Sequence, residues 1–182
     1  VAGDVDNPRI WVNADVYTAP LGSTAPTDVA SPWGAAWDAL GLLSEDGMTE
    51  AREDEVTDHY AWGGILVRTT RSKHKRTITV TALEDNPTVF ALVNPGSSAV
   101  TNAGITTRTV KVPQPDRRAF GLELKDGSIT KRRVIPRGEI VSVGEVQISD
   151  NEMAMYELTV NIYPDGDGVL YYDITDDPQA AV

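Results

Sequence analysis

Apolar and polar residues alternate with a period of two along much of this chain. From Arg9 to Tyr17, Ile10, Val12, Ala14 and Val16 fall on one side and Trp11, Asn13, Asp15 and Tyr17 on the other, which predicts a strand. Near the other end, Glu152–Tyr163 sets Tyr156, Leu158, Val160 and Ile162 on one face and Glu157, Thr159 and Asn161 on the other. In between, Tyr60-Ala61-Trp62-Gly63-Gly64 leads into a strand with Ile65 and Val67 on one face. A second strand places Ile78, Val80 and Ala82 together, and the basic run Arg71–Arg76 between them reads as the tip where a hairpin reverses. Asn86 is a good N-cap and Pro87 sits where its missing N–H costs nothing. With Val89, Phe90 and Val93 on one face, they predict a helix over 87–94. Four more strand-like runs follow at Thr106–Pro113, Arg117–Leu124, Ile129–Pro136 and Glu139–Ser149. Turns are expected at Asp126-Gly127 and Pro136-Arg137-Gly138. Pro164–Gly168 turns the chain into a last strand, Val169–Ile174.

The pattern fails over residues 18–61. Thr18–Pro32 is rich in Pro, Ser, Thr and Gly, and Glu50–Asp58 is polar on every face, so the whole stretch reads as a long loop. A connection of that length is expected to be mobile in a free subunit and to order against neighbours. Gly96–Gly104 reads as a flexible connector, and the two ends as extended arms. Eight or nine strands with one helix predict a mainly β fold, an antiparallel β-sandwich or barrel, in one domain over 1–182.

Composition narrows the chemistry. Cysteine is absent and His59 and His74 are the only histidines, so thiolate sites, disulfides and His-centred catalysis have almost nothing to draw on. No apolar run approaches the roughly 18 residues that span a bilayer, and Val1–Pro8 lacks the charged and apolar regions of a signal peptide. A soluble protein with no membrane partner is expected. Asp165-Gly166-Asp167-Gly168 resembles a calcium loop only superficially, because Val169 occupies a ligand position; a β-turn is the better reading. No nucleophile elbow, phosphate loop or dinucleotide fingerprint is present, and neither an enzyme nor a cofactor is expected.

Charge is segregated. Residues 1–66 carry 2 basic and 12 acidic side chains (net −10), 67–138 carry 14 and 5 (net +9), and 139–182 carry none and 10 (net −10). One reading is surface drift. The other is that acidic and basic surfaces meet between copies of the chain. The basic runs 68–76 and 131–133 lack nearby aromatics for base stacking, which argues against nucleic-acid binding. Trp33 and Trp37, in the open loop, could form a sugar-binding face; anchoring of that loop is the preferred alternative.

The order of these features carries a resemblance. An aromatic-Gly-Gly entry (Tyr60–Gly64), a hairpin, then Glu84-Asp85-Asn86-Pro87 into an apolar helix resembles the major tail tube proteins of long-tailed, non-contractile bacteriophages. Trp37–Gly47, apolar and then Glu45-Asp46-Gly47, is similar to the passage such proteins often carry upstream. The resemblance implies a structural subunit of the virion tail, assembled in the host cytoplasm into hexameric rings that stack into a hollow tube. Its partners would be other copies of itself, the tape measure and tail-tip or terminator proteins, with DNA as passing cargo. A carbohydrate-binding or adhesion module is the alternative. Under the tail reading, Glu157, Thr159 and Asn161 are the candidate lumen-facing residues. Arg71, Lys73, Lys75, Arg76, Lys131, Arg132, Arg133, Trp33, Trp37, Glu53, Asp54 and Glu55 are the candidate intersubunit residues. Reversing Lys131, Arg132 and Arg133 to Glu is expected to stop assembly and leave the fold intact.

Overall fold

A computed structural model describes residues 8–178. Its elements are strands β1 (Asn13–Pro20), β2 (Asp38–Ala39), β3 (Leu43–Ala61) and β4 (Ile65–Ala82), and helix α1 (Pro87–Val93). Strands β5 (Ser98–Asn102), β6 (Ile105–Thr109), β7 (Arg117–Asp126), β8 (Ile129–Val143), β9 (Tyr156–Ile162) and β10 (Tyr172–Thr175) follow. Eight strands form one antiparallel sheet in the order β2-β1-β7-β8-β9-β4-β3, with β10 also on β8; β5 and β6 form a separate hairpin.

Strand β8 folds that sheet into two layers. Its first half lies between β7 and β10, with Val134 opposite both Gly121 and Tyr172. Its second half, Gly138–Val143, pairs with β9. The β7 register slips between Arg118 and Phe120, where β8 passes through Pro136 and Arg137. Such a bulge bends a strand and lets it change layers. The predicted turn at Pro136–Gly138 is therefore a corner within one continuous strand. The main core fills the space between the layers. Val16, Phe120, Leu122 and Ile135 meet Ile78, Val80, Leu158, Val160 and Ile162, and Val89 and Leu92 of α1 pack on.

Gly138 makes the corner possible. A Cβ there would meet Phe120 Cδ2 at 2.7 Å and Val160 Cγ1 at 2.9 Å. Gly138→Ala is expected to cost about 1–3 kcal/mol by overpacking, read as a lower urea midpoint with an unchanged slope.

The helix forms as predicted at its start: Asn86 Oδ1 accepts from the Val89 amide at 2.9 Å, and Pro87 occupies the first turn. It ends at Val93, with the Asn94 amide donating to Phe90 O at 3.0 Å.

Four further expectations need correction. The first strand starts at Asn13 and runs to Pro20, and Ile10 and Val12 are exposed at 78% and 70%. The predicted 18–61 loop is loop only in its first half. Leu43–Ala61 is a 19-residue strand paired with β4, so Glu50–Asp58 is hydrogen-bonded within a single chain. The hairpin reverses at Trp62-Gly63-Gly64, where both glycines take positive φ (93° and 81°), a conformation other residues avoid. The basic run 71–76 lies mid-strand instead of at a tip. Finally, the Gly96–Gly104 connector contains β5, which turns into β6 at Ala103-Gly104. Of the expected arms, residues 1–7 and 179–182 lie outside the described residues.

Candidate assembly surfaces

The second layer presents a polar face. Directly opposed pairs Thr77/Asn161, Thr79/Thr159 and Thr81/Glu157 join β4 to β9, and the Thr79 and Thr159 hydroxyls lie 3.2 Å apart. On β8, Glu139 and Ser142 extend the same row opposite Asn161 and Thr159. On β3, Thr49 and Ala51 extend it opposite Thr79 and Thr77. The alternation that buries Leu158, Val160 and Ile162 sets these neighbours on the opposite face, where Glu157 is exposed and Thr159 and Asn161 are half-buried. The three lumen candidates thus share one face. It carries few charges, and Arg117 reaches Glu139 at 3.4 Å at its margin.

Both borders of this layer are open. Strand β3 is terminal in the sheet order, and beyond the Arg118/Gly138 and Arg117/Glu139 pairs the far edge of β8 has no strand beside it among the described residues. Unpaired edges of this kind invite pairing with another chain.

The β3–β4 hairpin extends past the layer, since β9 covers β4 only from Arg76 to Ala82. Charged side chains line its β-ladder. Glu55 pairs Lys73 at 2.6 Å, Glu53 pairs Lys75 at 3.8 Å, and Asp54 accepts from Arg52 at 2.6 Å and contacts His74 Nδ1 at 2.5 Å. These six sequence-predicted intersubunit positions, Arg71 included, lie along the hairpin; Arg71 is exposed there. The acidic N-terminal third and the basic middle of the chain therefore meet within one copy.

At the hairpin root, Glu50 links the layers. One oxygen accepts from Arg76 Nη1 at 2.7 Å and the other from Arg133 Nη1 at 2.5 Å. The Tyr171 ring packs under both guanidiniums, at 3.9 Å from Arg133 and 5.4 Å from Arg76. Arg133 also forks onto Asp173, which Lys131 reaches at 3.2 Å. This cluster borders a cleft of 460 Å³ floored by Trp11, Met48, Ile78, Leu122 and Leu124.

On the outer side of the first layer, a strap from the 18–37 segment covers β1, β7 and β8. Trp33 stacks on Tyr17 at 4.8 Å and donates to Glu123 at 2.8 Å; Trp37 is buried and donates to Thr24 O at 2.9 Å. Gly121 leaves room for the Trp33 ring, since any Cβ would overlap it. Arg132, 4% exposed, donates to Glu123 at 2.8 Å and to the Asp28 and Ser31 carbonyls at 2.8 and 2.6 Å. Trp33, Trp37 and Arg132 thus make their contacts inside the chain, as do Lys131 and Arg133. Glu50, Tyr171, Asp173 and Glu123, which tie those residues down, carry no motif that singles them out in the sequence.

These partners set an acid dependence. Burial would raise the Glu123 carboxyl, but hydrogen bonds from Lys125, Trp33 and Arg132 outweigh it and hold the group below its usual range. Asp173 is likewise lowered, as Arg133 and Lys131 overcome its desolvation. Groups depressed by folding stabilise above their unfolded pKa, and that stability is lost as pH falls through the folded value. The urea midpoint is expected to drop on acidification below about pH 4, and Glu123→Gln should flatten that slope.

Among the described residues, no group of three or more His, Asp or Glu could hold a metal ion, and no helix is long and apolar enough to cross a membrane.

A family model described as phage tail tube protein matches residues 1–182. A search of curated proteins finds no match. Among solved structures, the chain is similar to the sheath/tube terminator of an extracellular contractile injection system in its extended state. That match is 10% identical, covers 93% of this chain and 99% of the other, and has a TM-score of 0.52. It is also similar to the tube-terminating cap of the anti-feeding prophage, 10% identical over 96% of each chain with a TM-score of 0.53. At such identity these likenesses speak for the fold.

Proposed function

Because the chain belongs to the phage tail tube protein family, and so is a structural protein of the virion tail, we propose that it is the repeating subunit of the tube itself. Copies close into six-membered rings, the rings stack, and DNA passes through the bore during infection. The observation that carries this is the polar β8–β9–β4–β3 face bordered on both sides by open strand edges. In a ring, the β3 edge of one copy pairs with the Ile140–Val143 edge of the next. The two edges differ, so the contact is head-to-tail and closes only by rotation. The polar face then lines the bore, with Glu157, Thr159 and Asn161 at its centre. It presents hydroxyls, an amide and carboxylates, and like charge keeps a phosphate backbone sliding instead of sticking.

The tape measure and the tail-tip or terminator proteins are the further partners of such a tube, and host cytoplasm is where it is built. The non-contractile type is the finer reading, on the hairpin-to-helix passage of the sequence. The first structural neighbour comes from a contractile system, so the fold does not select between the types. The glycan-binding alternative loses its support, because Trp37 is buried and Trp33 is stacked and hydrogen-bonded within the chain.

Electron microscopy of the purified protein at rising concentration tests the proposal. Six-fold rings and hollow tubes are expected. Rings that never lengthen would indicate a terminating ring, and a monomer at every concentration would overturn the proposal.

A further inference from the structure

The 460 Å³ cleft lies on a seam that no strand pair closes among the described residues. Ala14 of β1 stands on one side of it and Asp46–Glu50 of β3 on the other, and β1 and β3 do not pair. Such a volume is far larger than the water-sized voids left in a packed interior, and its floor of Trp11, Met48, Ile78, Leu122 and Leu124 is apolar. Elsewhere an apolar stretch lies bare. Residues 110–115 are all exposed, with Val110 at 62% and Val112 at 79%. Strand register relates the two. Strand β7 meets the second half of β8 only at Arg118/Gly138 and Arg117/Glu139. Before Arg117 the chain is drawn toward the end of α1, whose Val89 and Leu92 enter the core. The Gln114 amide donates to Pro95 O at 3.2 Å and the Lys111 amide to Ser97 Oγ at 2.9 Å. Residues 110–116 therefore overhang the Ile140–Val143 edge on the core side of the layer, away from its polar face. Across that layer Val143 is level with Leu158, Val80 and Met48, and Ile140 with Val160, Ile78 and Glu50.

We propose that Val110 and Val112 of one copy fill the cleft of the adjacent copy in the same ring, a second contact behind the paired strands. The inference rests on the tube reading and names what completes the cleft. When the Ile140–Val143 edge of one copy pairs level with the β3 edge of the next, the overhang arrives at Met48–Glu50, the wall of that cleft. The valines then cover the apolar floor and release its water. Charge agrees: Lys111 stands between the valines and Asp46 borders the cleft, while the Lys131 of the cleft is held by Asp173 at 3.2 Å. The two surfaces are dissimilar and flank opposite edges of one layer. The contact therefore runs head-to-tail around a ring and closes with it.

The chain has no cysteine, and Asp46 and Lys111 are both exposed. The double variant Asp46→Cys/Lys111→Cys is assembled, oxidised and run on a denaturing, non-reducing gel. A ladder of disulfide-linked species that ends at the subunit number of one ring is expected. Val112→Asp should raise the protein concentration needed for ring formation by about tenfold or more, with its urea midpoint unchanged. Rings or tubes without the ladder, a ladder that runs past one ring, or wild-type assembly of Val112→Asp would each overturn the cleft assignment and leave the tube reading standing. So would an Asp46→Cys thiol already shielded from maleimide in the free subunit, which would give the cleft to a segment of its own chain. Failure of the wild-type protein to form rings or tubes would instead overturn the tube reading, and the cleft assignment with it.

Discussion

Replacing Lys131, Arg132 and Arg133 together by glutamate is expected to unfold the subunit, in place of the intact fold expected from sequence. Arg132 is 4% exposed and faces Glu123, itself 5% exposed, across 2.8 Å. A glutamate there would place two carboxylates under the Trp33 strap and strip the Asp28 and Ser31 carbonyls of their donor. Breaking a buried pair by removing one partner costs about 3–5 kcal/mol, and reversing its sign costs more. At position 133 the new carboxylate would confront Glu50 and Asp173, both of which now accept from the arginine. Against a total stability of about 5–15 kcal/mol, these losses leave little or no folded population. The urea transition followed by circular dichroism should be absent or shifted to very low denaturant. A variant that melts like the wild type and only fails to assemble would contradict the intrachain role of these residues. Arg71→Glu, which alters an exposed position on the hairpin, is the cleaner probe of contacts between copies.

Two neighbouring residues on β9 are expected to respond in opposite ways. Leu158 is 1% exposed and sits between the layers. Leu158→Ala should cost about 2–5 kcal/mol, the lost transfer energy plus the cavity left behind. Thr159, one residue on, faces outward with its hydroxyl beside Thr79, and Thr159→Ala should cost about 1 kcal/mol or less. Urea midpoints of the two variants measure the contrast. Equal losses would mean that both faces of this strand are covered within one subunit, and the polar face would no longer be a surface for a bore.

The strands that bury an apolar face were legible because burial writes a period of two into the sequence. Leu158, Val160 and Ile162, and Ile78 and Val80 opposite them, show it plainly. The helix was legible from Asn86 and Pro87, which act locally. Strand β3 was not, because Glu50–Asp58 buries nothing. Its pairing is written in polar side chains facing one another across the hairpin, with Glu53, Asp54 and Glu55 opposite Lys75, His74 and Lys73. The same cause misplaced the turn. The polar run 71–76 resembles a reversal in composition, although Gly63-Gly64 carries the stronger turn chemistry. Among the candidate site residues, one face of β9 was recoverable by alternation alone. The inward role of Arg132 and Arg133 was not, because their partners Glu123, Glu50 and Asp173 come from distant parts of the chain.

A cryo-electron microscopy reconstruction of assembled tubes tests the central claim most directly. The account predicts six subunits per ring, the β3 edge of each against the Ile140–Val143 edge of its neighbour, and Thr79, Glu157, Thr159 and Asn161 facing an open bore. A tube with that face turned to the outside, or walls closed without pairing at those edges, would contradict it.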